Sequence, residues 1–178
     1  MKTPEKRRSF QRSFTRLIGI DPGLASTGWG VLDFADGKII YIDHGVIKAT
    51  AETPRALRLS CIMHSIQEIL KTYKPAAAAI EILFFGKNVT SAIPVAEARG
   101  VILAVLAENG IPVHELTPNA IKKGVTGHAG ADKKQVQEMV RLLLNLEKVP
   151  KPDHAADALA AAICAGNTGP MLKLPGVN

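Results

Sequence analysis

The sequence predicts one α/β domain, built on a five-stranded mixed sheet with helices on both faces. A chain of 178 residues is long enough for a single domain with a substantial core. Short apolar segments typical of strands alternate with longer segments that have a helical period. Three strand segments come first, followed by helix, strand, helix, strand and the last helices. This order is typical of a mixed sheet with helices packed on it.

The five strand segments are apolar and are bounded by turn residues. They are residues 16–20, 27–34, 38–49, 76–83 and 111–116. Asp36-Gly37 separates the second from the third and is a hairpin signal. The fourth segment, AAAAIEIL, is short, apolar and preceded by a helix, so it is predicted to be a central strand.

Helical periodicity predicts five helices and places the domain boundaries around them. The helices are residues 53–74, 88–109, 117–123, 132–147 and 153–166. Thr53 suits the N-cap of the first, with Pro54 at the first helical position. Pro94 lies inside the second and predicts a kink or a later start. The predicted folded domain spans 17–168, between a basic arm (1–16) that is predicted to be disordered and a short C-terminal tail (169–178).

The charge of the chain is concentrated in the arm. The formal net charge is +6, and residues 1–16 hold six basic residues against one acidic residue. The arm lacks the apolar segment of a secretory signal. It could be a solvated tail, a DNA-contacting arm or a segment that only resembles an organelle-targeting signal. No apolar run reaches the roughly 18 residues that a membrane span needs. The two cysteines have no CxxC spacing, which is typical of a reduced compartment and gives no zinc site; both are predicted to lie in the core.

Two carboxylates stand where a core would be purely apolar. Asp21 ends the first strand, in IGIDPG, and Glu81 interrupts the apolar fourth strand. Burying a carboxylate costs on the order of several kcal/mol unless the carboxylate is paired or bound to a metal. The nearest basic residues, Arg16 and Lys87, are five and six positions away, so local ion pairing does not explain these acids.

The last helix supplies further acids, in KPDHAADALAAAI. If the first and fourth strands are neighbours, Asp21 and Glu81 lie at adjacent strand ends, and this helix can bring Asp157 to them. Three carboxylates suit Mg²⁺ or Mn²⁺, and two such ions about 3.5–4 Å apart are a common device for phosphodiester hydrolysis. The alternative is that Asp21 only caps a turn and Glu81 meets a distant base.

Taken together, these segments resemble the RuvC-type Holliday-junction resolvases, bacterial endonucleases with a ribonuclease H-like fold. The resemblance runs from Leu17 to about Gly166. It rests on IGIDPGLASTGWGV, AIEILFFGKNVTSA, EARGVILA, IKKGVTGHAGADKKQVQEMV and DHAADALAAAI. Each motif alone is weak, but five in this order and spacing are specific. The chain departs from the family at Ile82, where relatives often have a polar residue, and at Pro94.

The resemblance implies which residues form the active site. The catalytic and metal-binding set is Asp21, Glu81, His154 and Asp157. The predicted DNA-binding residues are Phe84, an aromatic that would stack on junction bases, and Lys87, Lys122, Lys123, Lys133 and Lys134. Core packing of Phe84 and a solvated role for the lysines remain the alternatives.

The fourth member of the metal set has two candidates. Helical geometry slightly favours Asp153, about 40° from Asp157 around the helix, over His154 at about 60°. Position in the family motif favours His154, which we take as the ligand, with Asp153 as the N-cap of the helix.

The function implied is a Mg²⁺-dependent, structure-selective endonuclease that resolves four-way DNA junctions by paired symmetric nicks during recombination and repair. The resemblance also implies two Mg²⁺ per active site, replaceable by Mn²⁺, 5′-phosphate products, a branch-migration motor as partner and a bacterial cytoplasmic location. A two-fold symmetric junction and a helix (88–109) that is apolar almost all round predict a homodimer. The alternatives are a ribonuclease H-like RNA-processing nuclease, a non-catalytic junction-binding protein and an actin-like ATPase, which would need a second lobe.

Overall fold

The centre of the molecule is a five-stranded sheet. The computed structural model describes residues 14–50, 52–83 and 89–168. The strands are β1 (Thr15–Asp21), β2 (Ser26–Ala35), β3 (Lys38–Lys48), β4 (Ala77–Glu81) and β5 (Val113–Leu116). Their order across the sheet is β3-β2-β1-β4-β5. β1 to β3 form an antiparallel meander, whereas β1, β4 and β5 are parallel. The prediction of a mixed sheet is therefore confirmed.

Five helices accompany the sheet in the described part of the chain, as predicted. They are α1 (Arg55–Tyr73), α2 (Val89–Glu108), α3 (Pro118–Thr126), α4 (Lys133–Leu143) and α5 (Asp153–Asn167). α3, α4 and α5 share one buried cluster with one face of the sheet, and α1 and α2 share a second cluster with the other. The side chains of β1 alternate between them, since Leu17 lies in the first cluster and Ile18 in the second. The predicted helices on both faces are thereby confirmed.

Two of the predicted helix ends are wrong. Thr53 is not the N-cap of α1, because Pro54 takes that position without a side-chain capping bond. The Thr53 hydroxyl instead lies 2.9 Å from the hydroxyl of Thr50. α4 ends at Leu143 and not at 147, because Asn145 has a positive φ of 52° that turns the chain out of the helix.

The other two differences concern a proline and a glycine. α2 runs through Pro94, so the helix does not begin late at that residue. The stretch GVTGHAG (124–130) has the glycine content typical of a loop, but its first three residues belong to α3. Gly124 is needed for packing, because a Cβ there would lie 2.6 Å from the Sγ of Cys164 on α5. Cys164 is buried as predicted, whereas Cys61 is exposed, so the core prediction is wrong for Cys61.

β1 begins two residues before the predicted domain boundary. Arg16 donates two hydrogen bonds to Asp33, at 2.7 and 2.8 Å, and a third to the carbonyl of Tyr73 at 3.0 Å. Arg16 is therefore part of the sheet and not of a charged arm. Residues 1–13 and the tail 169–178 lie outside the described residues. Within the ranges described, no helix is both long and apolar enough to cross a membrane.

Glycines allow α5 to lie directly against the backbones of β1 and β2. A Cβ on Gly19 would overlap with the carbonyl oxygen of Ala158, and a Cβ on Gly28 would overlap with that of His154. The helix itself is rich in buried alanines, so neither side of this contact carries bulk. The short separation brings the first turns of α5 to the carboxyl end of β1.

Candidate active site

Asp21 and Glu81 lie at adjacent strand ends. β1 and β4 are parallel neighbours in which Ile20 pairs with Ile80, so each acid is the last residue of its strand. The buried apolar residues that precede them fix both strands in the core. The carboxyl ends of parallel strands meet at one edge of a sheet, which is where open α/β sheets place their functional groups. The sequence predicts that Asp21 and Glu81 meet if the first and fourth strands are neighbours, and these strands are neighbours in the sheet.

The first two turns of α5 supply the remaining predicted groups. The Nδ1 atom of His154 lies 2.7 Å from the Oδ2 atom of Asp21. The Oδ2 atom of Asp157 accepts a hydrogen bond of 3.0 Å from the Nζ atom of Lys133, on α4. The side chain of His154 is 47% exposed and that of Asp21 is 21% exposed, so the pair lies at the rim of the site.

Asp153 does not cap α5, so that prediction is wrong. Pro152 holds the N-cap position, Asp153 is the first helical residue, and no side chain forms a capping bond. The Asp153 carboxylate instead pairs with two ammonium groups, that of Lys151 at 3.2 Å and that of Lys133 at 3.6 Å. These cations draw the carboxylate away from the free N–H groups of the first turn.

The carboxylates of the site repel one another. Burial is the main reason that the pKa of Asp21 is raised, and the charge of Asp157 raises it further, while the hydrogen bond with His154 opposes the shift. Burial also raises the pKa of Glu81, with the charges of Asp21 and Asp157 adding to the effect and Lys122 opposing it. The charge of Asp157 therefore raises the pKa of both Asp21 and Glu81, and negative charges gathered in this way favour a bound cation.

Glu81 lies between the other two acids. It lines a cavity of about 260 Å³ together with Asp21, and a second cavity of about 200 Å³ together with Asp157, Lys122 and Lys133. Within residues 14–50, 52–83 and 89–168, no group of three or more His, Cys, Asp or Glu side chains is placed so that it could hold a metal ion. The oxygen donors nonetheless fit a hard divalent cation in type and number, because Asp21, Glu81 and Asp157 border adjoining spaces.

The predicted DNA-binding lysines divide into two groups. Lys122 and Lys133 line the cavity that contains Glu81 and Asp157. Lys123 and Lys134 are exposed, and Lys134 lines a different cavity of about 520 Å³ between α3 and α4. Phe84 and Lys87 lie outside the described residues. Lys122 and Lys133 are therefore the members of this set that border the acidic site in the described chain.

Arg99 is a further residue at the site that was not singled out from the sequence. Its Nε donates to the backbone carbonyl of Glu81 at 3.4 Å, and its guanidinium also pairs with Glu115. Arg99 thus joins α2 to the ends of β4 and β5 and supports the backbone that carries Glu81. The available signal was that Arg99 is the only basic residue of the largely apolar helix α2.

The site combines acids at adjacent parallel strand ends with lysines beside them, and it lies on a five-stranded mixed sheet. These features define the class of protein as a metal-dependent nuclease with a ribonuclease H-like fold. The family model described as crossover junction endodeoxyribonuclease RuvC matches residues 17–165. The chain belongs to this family of endonucleases, as the resemblance in the sequence predicted.

Individual relatives agree with this assignment. The crossover junction endodeoxyribonuclease RuvC of Roseiflexus sp. is 51% identical over 159 residues, covering 89% of this chain and 95% of the relative. That of Treponema denticola is 50% identical over 153 residues, covering 86% of each chain. The structure of Thermus thermophilus RuvC in complex with a Holliday junction substrate has a TM-score of 0.80 and 34% identity, covering 84% of this chain and 92% of that one. The yeast mitochondrial Holliday junction resolvase Ydc2, at 15% identity and a TM-score of 0.63, shares the fold.

Proposed function

We propose that this chain resolves four-way DNA junctions by paired, symmetric nicks during recombination and repair, with Mg²⁺ as its cofactor. The observation that carries the proposal is the position of Glu81 between Asp21 and Asp157, next to Lys122 and Lys133. Membership of the RuvC family directs that chemistry to junction DNA. The Thermus thermophilus relative, which is 34% identical, was solved with a Holliday junction substrate.

The chain's own residues divide the work of the site between them. Asp21, Glu81 and Asp157 would hold the divalent cations, two of them in our proposal, with Mn²⁺ able to replace Mg²⁺. Bound cations would supply activation of the attacking water and stabilisation of the leaving 3′ oxygen, which gives 5′-phosphate ends. His154 orients Asp21 through its hydrogen bond and lies close enough to join the metal set.

The lysines beside the acids position the DNA strand. Lys122 and Lys133 carry positive charge into the same cavity as Glu81, so a backbone phosphate there would be attracted by the ammonium groups. A site made only of carboxylates would repel DNA, and a site made only of lysines would bind DNA without cutting it. The combination favours a nuclease over a non-catalytic junction-binding protein.

We further propose that the enzyme acts as a homodimer through α2. Ala98, Ile102 and Leu106 are buried in the core that α2 shares with α1 and the sheet. On α2, Ile93 is 47% exposed. A second copy packed against this helix would cover that apolar surface and supply the second active site that a two-fold symmetric junction requires.

Family membership also supports a bacterial cytoplasmic location and cooperation with a branch-migration motor. Both belong to the proposal as expectations drawn from the resemblance. A pull-down with a reconstituted branch-migration motor, with and without junction DNA, tests the second of them.

The direct experiment compares nucleic-acid substrates. A labelled mobile four-way junction, a linear duplex of the same sequence and an RNA–DNA hybrid are each incubated with the chain, with Mg²⁺ or with a chelator. The proposal expects nicks at symmetric positions in two opposed strands of the junction, and only with Mg²⁺. Preferential cutting of the hybrid would favour the RNA-processing alternative, and binding of the junction without cutting would favour the non-catalytic one.

A further inference from the structure

Two of the three carboxylates of the site already have a hydrogen-bonding side chain as partner. Asp21 is hydrogen-bonded to His154, and Asp157 accepts a hydrogen bond from the ammonium of Lys133 at 3.0 Å. No hydrogen bond or ion pair joins the Glu81 carboxylate to another described residue. Asp157 is therefore the carboxylate of the three that already holds a lysine ammonium, through its Oδ2 atom.

The backbone of Lys133 is fixed, whereas its side chain is largely exposed. It is the first residue of α4, whose start is fixed by a capping box between Asp132 and Gln135. Val136 and Val140 bury the inner face of α4 in the core next to α5. The Lys133 side chain is 54% exposed, so its ammonium can leave Asp157 without moving the helix.

We propose that Lys133 holds Asp157 until a divalent cation takes that carboxylate, and that the released ammonium then contacts a phosphate of the DNA strand. This inference rests on the proposed function, because it assumes that Asp157 binds the metal and that the substrate is DNA. Lys133 would then couple the binding of metal and DNA. A bound metal displaces the Lys133 ammonium toward the DNA, and bound DNA draws the same ammonium away from Asp157.

Electrostatics gives the reason for the exchange. An ammonium and a divalent cation repel each other when both approach one carboxylate, and the divalent cation carries twice the charge of the ammonium. The released ammonium remains in the cavity it already lines with Glu81 and Lys122. Thermodynamic linkage then requires that each ligand increase the affinity of the other by the same factor. Asp153 keeps the ammonium of Lys151, at 3.2 Å, when Lys133 leaves.

The test measures metal affinity in the absence of DNA, using Mn²⁺ and titration calorimetry on the full chain. Lys133→Met removes the competing ammonium but keeps the length of the side chain, and Lys133→Arg keeps the charge. Lys134→Met is the matched control, since it removes the same charge from the next residue, which lines a different cavity. Thermal melts of all variants report whether the fold is intact.

Lys133→Met is expected to bind Mn²⁺ about 3- to 10-fold more tightly than the unmodified chain, the factor expected for release of one charge-assisted hydrogen bond. Lys134→Met and Lys133→Arg are expected to stay within about twofold on the same scale. Unchanged or weaker binding in Lys133→Met, or equal tightening in Lys133→Met and Lys134→Met, overturns the inference. Junction cleavage by the unmodified chain is scored separately, so the proposed function stands or falls on a different measurement.

Discussion

The Nδ1 atom of His154 lies 2.7 Å from the Oδ2 atom of Asp21, although 133 positions separate the two residues in the sequence. The contact depends on how closely α5 approaches the sheet. Gly28 pairs with Asp21 across β1 and β2, and it also lies under the backbone of His154. A single glycine therefore sits between the strand that carries one group and the helix that carries the other.

Gly28→Ala is expected to reduce cleavage strongly while leaving the protein folded. The added methyl group overlaps with the carbonyl of His154, so the start of α5 must move away from Asp21. Overpacking of this kind costs about 1–3 kcal/mol of stability, and a misplaced catalytic group costs on the order of 10²-fold in rate. Single-turnover cleavage and thermal melting measure the two effects.

Glu52→Gln, at an exposed position outside α2 and α5, is the control for this change. It should melt and cut like the unmodified chain. Cleavage by Gly28→Ala at the unmodified rate would show that α5 tolerates a shift and that the Asp21–His154 contact is not required.

Glu81→Gln is expected to stabilise the chain when metal is removed by a chelator. The pKa of Glu81 is raised, chiefly by burial and then by the charges of Asp21 and Asp157. The folded state therefore holds this proton more tightly than the unfolded state does, so stability falls as pH rises from the ordinary glutamate pKa through the raised one. Glutamine at this position removes the charge whose burial causes this loss of stability.

Thermal melts in chelator at several pH values measure the effect. The melting temperature of Glu81→Gln should exceed that of the unmodified chain at neutral pH, and the difference should shrink in acid. Glu52→Gln, at an exposed position, is the control and should change little. If Glu81→Gln melts at a lower temperature than the unmodified chain at neutral pH, the charged Glu81 side chain stabilises the folded state more than its burial destabilises it, which contradicts the prediction.

Variants of His154 and Asp153 distinguish the two candidates for the fourth position of the metal set. His154→Asp keeps a group that can bind metal near Asp21 and should retain substantial activity, whereas His154→Ala should be nearly inactive. Asp153→Ala should keep its rate and lose only exposed ion pairs, which contribute little to stability. Cleavage rates at saturating protein decide the matter: an inactive Asp153→Ala beside an active His154→Ala would reverse the roles.

Deleting residues 1–13 tests whether the basic N-terminal segment contacts DNA. The deletion removes five basic residues and one acidic residue but leaves Arg16 with its partner Asp33. Fewer phosphate contacts release fewer counterions, so we expect junction affinity to weaken modestly and its dependence on salt to become shallower. Fluorescence anisotropy over a salt series gives the slope. An unchanged slope would assign the segment no phosphate contacts.

The parts of the fold that follow from local pattern were predictable from the sequence. Apolar segments of strand length and segments of helical period gave all five strands and five helices in the described ranges, with ends shifted by a few residues. Asp21 and Glu81 stood out because acids rarely follow buried apolar residues. Their placement at adjacent strand ends needed only the pairing of β1 with β4.

Contacts between distant segments were not predictable in the same way. Arg16 was assigned to a charged arm because the charge run continues through it, but its partner Asp33 lies across a hairpin 17 positions away. The contact between Lys133 and Asp157 depends on how α4 packs against α5, which no local pattern encodes. Gly124 stands in a glycine-rich stretch, and no local pattern shows that its role is to admit Cys164 of the neighbouring helix.

The most direct test of the central claim is to separate junction binding from junction cutting in Asp21→Asn, Glu81→Gln and Asp157→Asn. Because these acids would hold metal and not DNA, each variant should bind a four-way junction nearly as well as the unmodified chain. Each should also lose on the order of 10²-fold or more of its cleavage rate in Mg²⁺. Glu52→Gln should bind and cut normally. Full cleavage by any one of the three variants would contradict its assignment as an indispensable metal ligand, and full cleavage by all three would contradict the active site described for this chain.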